Sequence, residues 1–375
     1  MIETWRRHYN HVRPHSSLKD LTPIEFKTRY ASTNPGPSPS SNWSEDPWAG
    51  QIYERFHLWD GLMLKSFFNA FGREEPALIF GTWQLGGAYR FGGKPDGLGG
   101  MTRSTAQALL ERAYGSGIRV FDTADIYGLG TVESLLSRLP GDALVITKFG
   151  NRGTPETRCK DFSRAYLVEC LQRSSERLSR VPDLVLMHNP PLDFDFAQLA
   201  ALEIDRLRDD GLVKGFGVSC TTISQASVAL ENDSVQAIEV NFNLLDRHAE
   251  SALFPRADKL KKDVLLRAPF CSGFLTDRFL ERDYGFDPND RRSTLSAEDR
   301  AWRIMAVRKL NRELEVGSIT EVALRFCLSF SKFVVFGCRN VDQLEANLRH
   351  ARLGALDEAA LQRIRKIDFG TNPCW

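Results

Sequence analysis

The chain has 375 residues, of which 42% are hydrophobic and 26% charged, the composition of an ordinary globular protein. A formal net charge of +1 gives no overall field that would attract nucleic acid or a membrane surface. No apolar stretch approaches the roughly 20 residues needed to cross a bilayer, and the first residues lack the apolar core of a signal peptide. The seven cysteines are scattered and form no CxxC pair, which predicts free thiols in a reducing cytoplasm rather than a disulfide framework or a zinc site.

The composition changes sharply within the first 76 residues. Residues 1–30 are basic, aromatic and rich in histidine, and Thr22 can cap a helix opened by Pro23. Residues 31–50 are rich in Ser, Pro and Asn and cannot bury enough apolar surface to offset their ordering entropy, so they are predicted to form a disordered linker. Residues 51–76 are predicted to lead into the next domain as an amphipathic helix, because apolar residues recur there at helical spacing: Leu64, Phe67, Phe68 and Phe71.

From residue 77 onward, short apolar runs alternate with stretches of helical periodicity. Eight strands that are each followed by a helix are the count for a closed barrel, so the predicted fold is an α/β (β/α)8 TIM barrel over residues 77–367, with a tail at 368–375. A doubly wound open sheet is the rival, but it would carry a GxGxxG turn that residues 80–87 lack. The predicted strands are 77–82, 120–123, 143–148, 184–188, 215–219, 237–242, 264–268 and 333–337.

Helical patterns lie between these runs. The segment 271–315, after the seventh strand, is too long for a tight turn and is polar at its middle. In a barrel, an insertion on that side would overhang the mouth of the active site. The predicted helices are 105–114, 163–178, 196–208, 223–230, 319–328 and 341–349.

An Asp, a Tyr, a Lys and a His stand at or near the ends of three of the predicted strands. They are Asp122, Tyr127, Lys148 and His188. The carboxyl ends of barrel strands are where a (β/α)8 barrel builds its active site. A tyrosine is a poor acid at neutral pH unless a nearby cation favours its phenolate, so this set predicts carbonyl reduction with a tuned phenol. Taken alone, each of these residues could instead have a structural role, as a polar group hydrogen-bonded in the core or at the rim of the barrel.

The chain resembles the aldo-keto reductase superfamily over roughly residues 77–367. The resemblance implies that Asp122, Tyr127, Lys148 and His188 form a catalytic tetrad, with Tyr127 as general acid and base. It also implies an NAD(P)-dependent oxidoreductase that transfers hydride between nicotinamide and an aldehyde, ketone or sugar. The motifs that carry it are GTW at 81–83, FDTADIYG at 121–128, VITK at 145–148, LMHNP at 186–190, GFGVS at 215–219, NFNLL at 241–245 and FGCRN at 336–340.

The same resemblance implies the residues that contact the cofactor. Cys220 and Glu239 stand where the family usually has Asn and Gln at the nicotinamide amide. Gln343 stands where many members have an Arg for the 2′-phosphate, so Arg339 is the candidate replacement and NADP(H) is favoured over NAD(H). The full implied set is Gly81, Thr82, Trp83, Asp122, Ser219, Cys220, Glu239, Gly337, Arg339, Gln343 and Asn347.

The predicted substrate pocket has an aromatic wall of Trp83, Tyr89 and Phe270 beside His188. Such a wall suits a sugar or an apolar carbonyl equally well. The expected partner is a small carbonyl or alcohol, with no metal and no membrane, on a monomer or weak oligomer in the cytoplasm.

The first 30 residues resemble a different family. WRRHYNHVRPHSSL at 5–18 and LTPIEF at 21–26 are similar to the end of the integrase core of insertion-sequence transposases. In that family the metal-binding carboxylates precede this motif, so no transposition chemistry is expected here. Without a partnering carboxylate or Cys, His8, His11 and His15 are not expected to form a metal site. Basic residues alone usually mark a solvated surface, so nucleic-acid binding is not expected either. A gene fusion left by a mobile element explains both the composition break and the linker. Two alternatives to the enzyme stay open: a non-catalytic nicotinamide-binding module, and an inactive remnant of that fusion.

Overall fold

The computed structural model describes residues 65–281, 283 and 285–370. The predictions for the integrase-like segment, for the linker and for the last five residues lie outside this part of the chain.

Fourteen strands occur in the described residues. In chain order they are β1 (Lys65–Phe68), β2 (Arg73–Pro76), β3 (Leu78–Gly81), β4 (Arg90–Phe91), β5 (Lys94–Pro95), β6 (Val120–Asp122), β7 (Leu144–Phe149), β8 (Asn151–Gly153), β9 (Arg158–Lys160), β10 (Leu184–His188), β11 (Gly215–Ser219), β12 (Ala237–Asn241), β13 (Asp263–Arg267) and β14 (Phe333–Phe336).

Eight of these strands pair in parallel and close a barrel in the order β10-β11-β12-β13-β14-β3-β6-β7. Each lies at one of the eight predicted positions, so the predicted (β/α)8 fold is confirmed. The strands read as continuous apolar runs because both faces are covered, by the barrel interior and by the helices. Ile79, Ile146 and Leu186 belong to the buried cluster inside the barrel. Gly217 is required by close packing, since a Cβ there would lie 2.3 Å from the carbonyl oxygen of Ala237.

Helices follow the barrel strands. Ser163 and Ser296 cap two of them by accepting a hydrogen bond from a backbone N–H three residues on. The helix predicted over 196–208 is divided into a 3-10 helix (Phe196–Leu202) and a short α-helix, because Glu203 between them has a φ of 51°. The α-helices are α1 (Arg103–Gly115), α2 (Thr131–Leu136), α3 (Arg164–Leu178), α4 (Ile204–Asp209), α5 (Ile223–Ala229), α6 (Ala249–Ala252), α7 (Phe254–Lys259), α8 (Arg278–Glu281), α9 (Ala297–Leu314), α10 (Ile319–Leu328), α11 (Val341–Arg352) and α12 (Glu358–Lys366).

The helix expected over residues 51–76 is wrong in its described part, where β1 and β2 form an antiparallel hairpin. Phe68 enters the barrel interior, with its ring centroid 4.1 Å from that of Phe333 at the start of β14. The backbone N–H groups of Asn69 and Ala70 donate to the two carboxylate oxygens of Asp263, at 2.9 and 2.8 Å. Asp263 begins β13, so the hairpin closes the amino-terminal end of the barrel.

Two further hairpins lie beside the barrel strands. β8 follows β7 after one residue and pairs with β9, while β4 pairs with β5. The two hairpins bond to each other, since Gly92 N donates to Thr154 O at 3.1 Å and Gly93 N to Pro155 O at 2.8 Å. Because β7 ends at Phe149, both hairpins lie at the carboxyl end of the barrel, opposite the β1–β2 hairpin. None of the helices in the described part of the chain combines the length and hydropathy that a bilayer crossing requires.

Candidate active site

The four residues of the predicted tetrad meet at the carboxyl end of the barrel. Asp122 and His188 are the last residues of β6 and β10, and Lys148 lies in β7. Tyr127 begins a 3-10 turn (Tyr127–Gly130) after β6. That turn packs directly on the loop after β3, because a Cβ on Gly86 would lie 2.7 Å from the backbone nitrogen of Gly128.

The Lys148 ammonium group lies in the centre of this set and is buried, with 1% of its side chain exposed. Its Nζ lies 2.5 Å from Asp122 Oδ2 and donates to Thr123 O at 3.0 Å. A second carboxylate oxygen, Glu239 Oε2, lies 3.7 Å away. Lys148 Nζ also lies 5.5 Å from the ring centroid of Tyr127. The Lys148 ammonium group therefore lies near the carboxylates of Asp122 and Glu239 and near the ring of Tyr127.

Burial and charge act together on these groups. Burial alone would lower the pKa of Lys148, but the carboxylates of Asp122 and Glu239 outweigh it and raise that pKa, so the amine stays protonated. Burial raises the pKa of Asp122 to about 7, although Lys148 opposes the shift. Burial also raises the pKa of Tyr127 to about 12, with Lys148 lowering it and the two carboxylates raising it. Tyr127 is thus a protonated phenol near neutral pH, and the charge of Lys148, 5.5 Å from its ring centroid, favours its phenolate.

His188 lies edge-on to Tyr127, with 6.0 Å between the ring centroids and 80° between the ring planes. Its Nδ1 is buried and has no hydrogen-bond partner among the described residues. Burial, followed by the charges of Lys148 and Lys160, lowers the pKa of His188 well below its usual value. The imidazole is therefore neutral at pH 7, with one ring nitrogen as donor and the other as acceptor.

A second polar group lies at the ends of the next strands. The Ser219 hydroxyl, at the end of β11, donates to Asn189 Oδ1 at 3.3 Å. Arg267 at the end of β13 donates to the same oxygen at 3.4 Å and to the backbone carbonyl of Cys220 at 3.0 Å. The Cys220 side chain is buried, which raises its pKa to about 12, so it stays a neutral thiol. Glu239, in β12, has 2% of its surface exposed, and its Oε2 has no hydrogen-bond partner among the described residues.

Asn189 and Arg267 were not among the predicted site residues. Asn189 follows His188 directly and has a φ of 50°, which turns its amide toward β11. Arg267 ends the apolar run of β13 in the same way that His188 ends β10. A charged residue at the end of an apolar run is therefore the signal that could have found Arg267.

The end of β3 and the loop after it carry the next predicted residues. Gly81 lies against β14, where a Cβ would meet Val335 Cγ1 at 3.0 Å. The Thr82 hydroxyl donates to the Asp122 carbonyl at 2.8 Å, which ties this loop to β6. Trp83 Nε1 donates to Asp96 O at 2.9 Å.

The structure packs Tyr89 beside Tyr127 of the tetrad, while Phe270 lies in the loop after β13. Tyr89 and Tyr127 pack against the same apolar cluster, which consists of Phe91, Ala124 and Ile126. Burial raises the pKa of Tyr89 above its usual value. Phe270 is buried and precedes a 3-10 turn (Cys271–Gly273) after β13.

The predicted phosphate region lies at the start of α11. Asn340 accepts from Gln343 N at 2.9 Å, while Arg339 N donates to Gln343 Oε1 at 2.8 Å, so the two side chains cap the helix reciprocally. The Arg339 guanidinium donates to the carbonyl of Gly99. Burial, followed by the charge of Arg292, lowers the pKa of Arg339, which indicates that guanidinium groups gather here.

Two residues of this region pack inward. Gly337 lies against Gln84, whose Nε2 would be 2.4 Å from a Cβ at this position. Asn347 is buried on α11. Within the residues that the structure describes, no group of three or more His, Cys, Asp or Glu is arranged to hold a metal ion.

The model of the aldo/keto reductase family matches residues 77–368, and the chain belongs to this family. It is an oxidoreductase of the aldo-keto reductase type, a family that uses nicotinamide cofactors. A second match, to an integrase core domain, covers residues 1–23 and agrees with the resemblance stated for that segment.

Similar proteins share about a quarter of their residues with the chain. The aldo-keto reductase YhdN of Bacillus subtilis is 26% identical over 73% of this chain and 85% of its own. The D-threo-aldose 1-dehydrogenase of a Pseudomonas species is 26% identical over 76% of this chain and 92% of its own. Among solved structures, the glycerol dehydrogenase AKR11B4 from Gluconobacter oxydans superposes with a TM-score of 0.67 at 24% identity. That superposition covers 80% of this chain and 94% of the other, and it shows the shared fold.

Proposed function

We propose that this chain transfers hydride between NAD(P)(H) and the carbonyl carbon of an aldehyde, ketone or sugar, with Tyr127 as general acid and base. The observation that carries this proposal is the position of Lys148 Nζ, 2.5 Å from Asp122 Oδ2 and 5.5 Å from the Tyr127 ring centroid. A cation held in this way lowers the free energy of the phenolate that forms when Tyr127 gives up its proton.

The roles of the chain's residues follow from the direction of charge transfer. The bound nicotinamide supplies the hydride for reduction. Negative charge that develops on the carbonyl oxygen requires a donor already in place, and Tyr127, protonated near neutral pH, donates that proton. Lys148 stabilises the resulting phenolate, and Asp122 fixes Lys148. His188, neutral and edge-on to Tyr127, orients the carbonyl oxygen.

The polar group at the ends of β10–β13 fits a nicotinamide carboxamide. Ser219 and Asn189 offer hydroxyl and amide groups, and Glu239 Oε2, which lies 3.7 Å from Lys148 Nζ, accepts no hydrogen bond from the described residues. Glu239 accepts from an amide NH₂ but cannot donate to its oxygen, so it fits one half of the carboxamide. We assign five further residues to the border of this nicotinamide site: Gly81, Thr82, Trp83, Asp122 and Cys220.

The start of α11 fits the phosphates of the cofactor. Guanidinium groups bind phosphate in a forked geometry, and Arg339 is the nearest to the helix terminus. We assign Arg339 to the 2′-phosphate, which favours NADP(H) over NAD(H), with Gly337, Gln343 and Asn347 shaping the region.

The substrate side is bordered by Trp83, Tyr89, His188 and Phe270. Aromatic walls accept sugars as well as apolar carbonyls, and one relative is named for dehydrogenation of an aldose. We expect a small carbonyl or alcohol substrate and a monomer or weak oligomer in the cytoplasm.

A fluorescence titration of the protein with NADPH and with NADH tests the cofactor assignment. Micromolar binding with NADPH tighter than NADH is the expected result. Binding of neither nucleotide would contradict the proposed function, because the departures at Cys220 and Glu239 would then have disabled the site.

A further inference from the structure

The β8–β9 hairpin presents two cations on one face. β8 and β9 pair in the register Asn151↔Lys160, Arg152↔Cys159 and Gly153↔Arg158. Because successive side chains of a strand point to opposite faces, Arg158 and Lys160 share one face and Arg152 lies on the other. The hairpin follows β7, the strand of Lys148, and therefore stands at the active-site end of the barrel.

Both cations contact the surroundings of the predicted tetrad. Lys160 Nζ donates to the backbone carbonyl of His188 at 2.8 Å. The Arg158 guanidinium lies 5.3 Å from the ring centroid of Phe91, in the cluster on which Tyr127 packs. The charges of Lys160 and Arg158 both act on the His188 imidazole. This face of the hairpin is therefore part of the wall around the reacting groups.

The partners of these two cations are neutral within the described part of the chain. Lys160 donates one hydrogen bond to a carbonyl, and Arg158 donates to Asn151 Oδ1 at 2.8 and 3.3 Å. The carboxyl groups that act on them, Asp125 on Lys160 and Asp96 on Arg158, do so without forming an ion pair with either. On the opposite face, Arg152 pairs with Asp161 at 3.2 Å and Glu169 at 3.9 Å.

Lys160 is exposed as a residue, but its ammonium group is desolvated where it lies against His188. That desolvation, followed by the charge of Arg158, lowers its pKa to about 8. An ammonium group has three N–H donors, and described residues accept one of them. Two cations held close together without a carboxylate partner are an arrangement that a bound anion stabilises.

We propose that Arg158 and Lys160 form a subsite for a carboxylate carried by the carbonyl substrate. The substrate class is then an aldehyde or ketone with a carboxylate a few bonds from the carbonyl carbon. The carboxylate contacts the hairpin while the carbonyl oxygen lies between Tyr127 and His188. This inference rests on the proposed function and names its substrate. The proposed phosphate region, at the start of α11 after β14, is separated from β7 and its hairpin by β3 and β6.

Succinic semialdehyde and its methyl ester test the subsite, because they share the aldehyde and differ in charge. We expect kcat/KM to be at least about tenfold higher for the acid, through a lower KM. Lys160→Met removes this preference, measured as the ratio of kcat/KM for the acid to kcat/KM for the ester. Arg152→Met, which removes a cation from the opposite face of the same hairpin, keeps the preference. If Lys160→Met does not fold, Lys160→Gln, which keeps a donor for the His188 carbonyl, carries the same expectation.

Calorimetric binding of both aldehydes is measured without turnover, so it tests the subsite even if neither compound is reduced. Reduction of both aldehydes at equal kcat/KM, with equal affinities, would overturn the subsite and leave the proposed function standing. Preferential binding of the acid without turnover supports the subsite and counts against the catalytic proposal. A weaker affinity of Lys160→Met for NADPH would show that these cations bind the cofactor rather than a substrate carboxylate, and it would also overturn the inference.

Discussion

Glu239 Oε2 lies 3.7 Å from Lys148 Nζ, so a second buried carboxylate shares the cation that Asp122 holds. Both carboxylates raise the pKa of Tyr127, which burial already raises to about 12. Glu239 therefore favours the protonated phenol, the form that donates a proton in carbonyl reduction. In the oxidative direction Tyr127 must be a phenolate, so the same carboxylate opposes that direction near neutral pH.

Glu239→Gln removes this charge and keeps the shape of the side chain. Loss of the carboxylate lowers the pKa of Tyr127, so the rise of the oxidative rate with pH should move to lower pH by on the order of one unit. The measurement is the pH profile of kcat for alcohol oxidation. Glu75→Gln is the matched control, a buried carboxylate of β2 at the other end of the barrel. An unshifted profile in Glu239→Gln would show that Glu239 does not act on Tyr127.

Lys148→Met leaves the carboxylates of Asp122 and Glu239 buried without their cation. Removal of one partner of a buried ion pair destabilises a protein by about 3–5 kcal/mol. The free energy of unfolding in urea should therefore fall by about this amount, while carbonyl reduction falls by about 100-fold or more. A variant with full activity would show that the phenolate of Tyr127 needs no cation.

Arg339→Ala tests the preference between the two nucleotides. Loss of a charged contact to the 2′-phosphate should weaken NADPH binding about tenfold and leave NADH binding unchanged. Fluorescence titration measures both dissociation constants. Arg349→Ala is the control, an exposed arginine in the last turn of the same helix. Equal losses for NADPH and NADH would assign Arg339 to a phosphate common to both.

Phe68→Ala tests the closure of the amino-terminal end of the barrel. Phe68 is fully buried and packs on Phe333, so its truncation leaves a cavity and should lower the free energy of unfolding by about 3–5 kcal/mol. The active-site end is unaffected, so kcat measured well below the melting temperature should stay at the wild-type value. A loss of kcat in a folded variant would contradict this expectation and show that the two ends of the barrel are coupled.

The sequence was sufficient to predict the barrel and the meeting of the four tetrad residues. Lys148 interrupts one apolar run near its end and His188 ends another. In a parallel barrel the carboxyl ends of all the strands lie at the same end of the barrel. The order of the motifs along the chain then specified the family, which the match over residues 77–368 bears out.

The errors have local causes. Phe67, Phe68 and Phe71 have helical spacing, but Gly72 adopts a φ of 64° and reverses the chain into β2, so a hairpin forms instead. The sequence predicts an insertion over 271–315 and does not predict α9 within it, because the many charges of α9 dilute the apolar pattern that marks a helix.

The contacts around the tetrad could not be predicted because they join distant positions. Lys160 and the His188 carbonyl are 28 residues apart, and Arg267 and Asn189 are 78 residues apart. Spacing along the chain carries no signal for pairs of this kind, which depend on how the strands close.

The most direct test of the central claim compares wild type with Tyr127→Phe, by NADPH titration and by carbonyl reduction on one preparation. We expect Tyr127→Phe to bind NADPH as wild type does and to lose carbonyl reduction by about 100-fold or more, since only the proton donor is removed. A Tyr127→Phe variant that binds NADPH and reduces the carbonyl at the wild-type rate would contradict the role assigned to Tyr127.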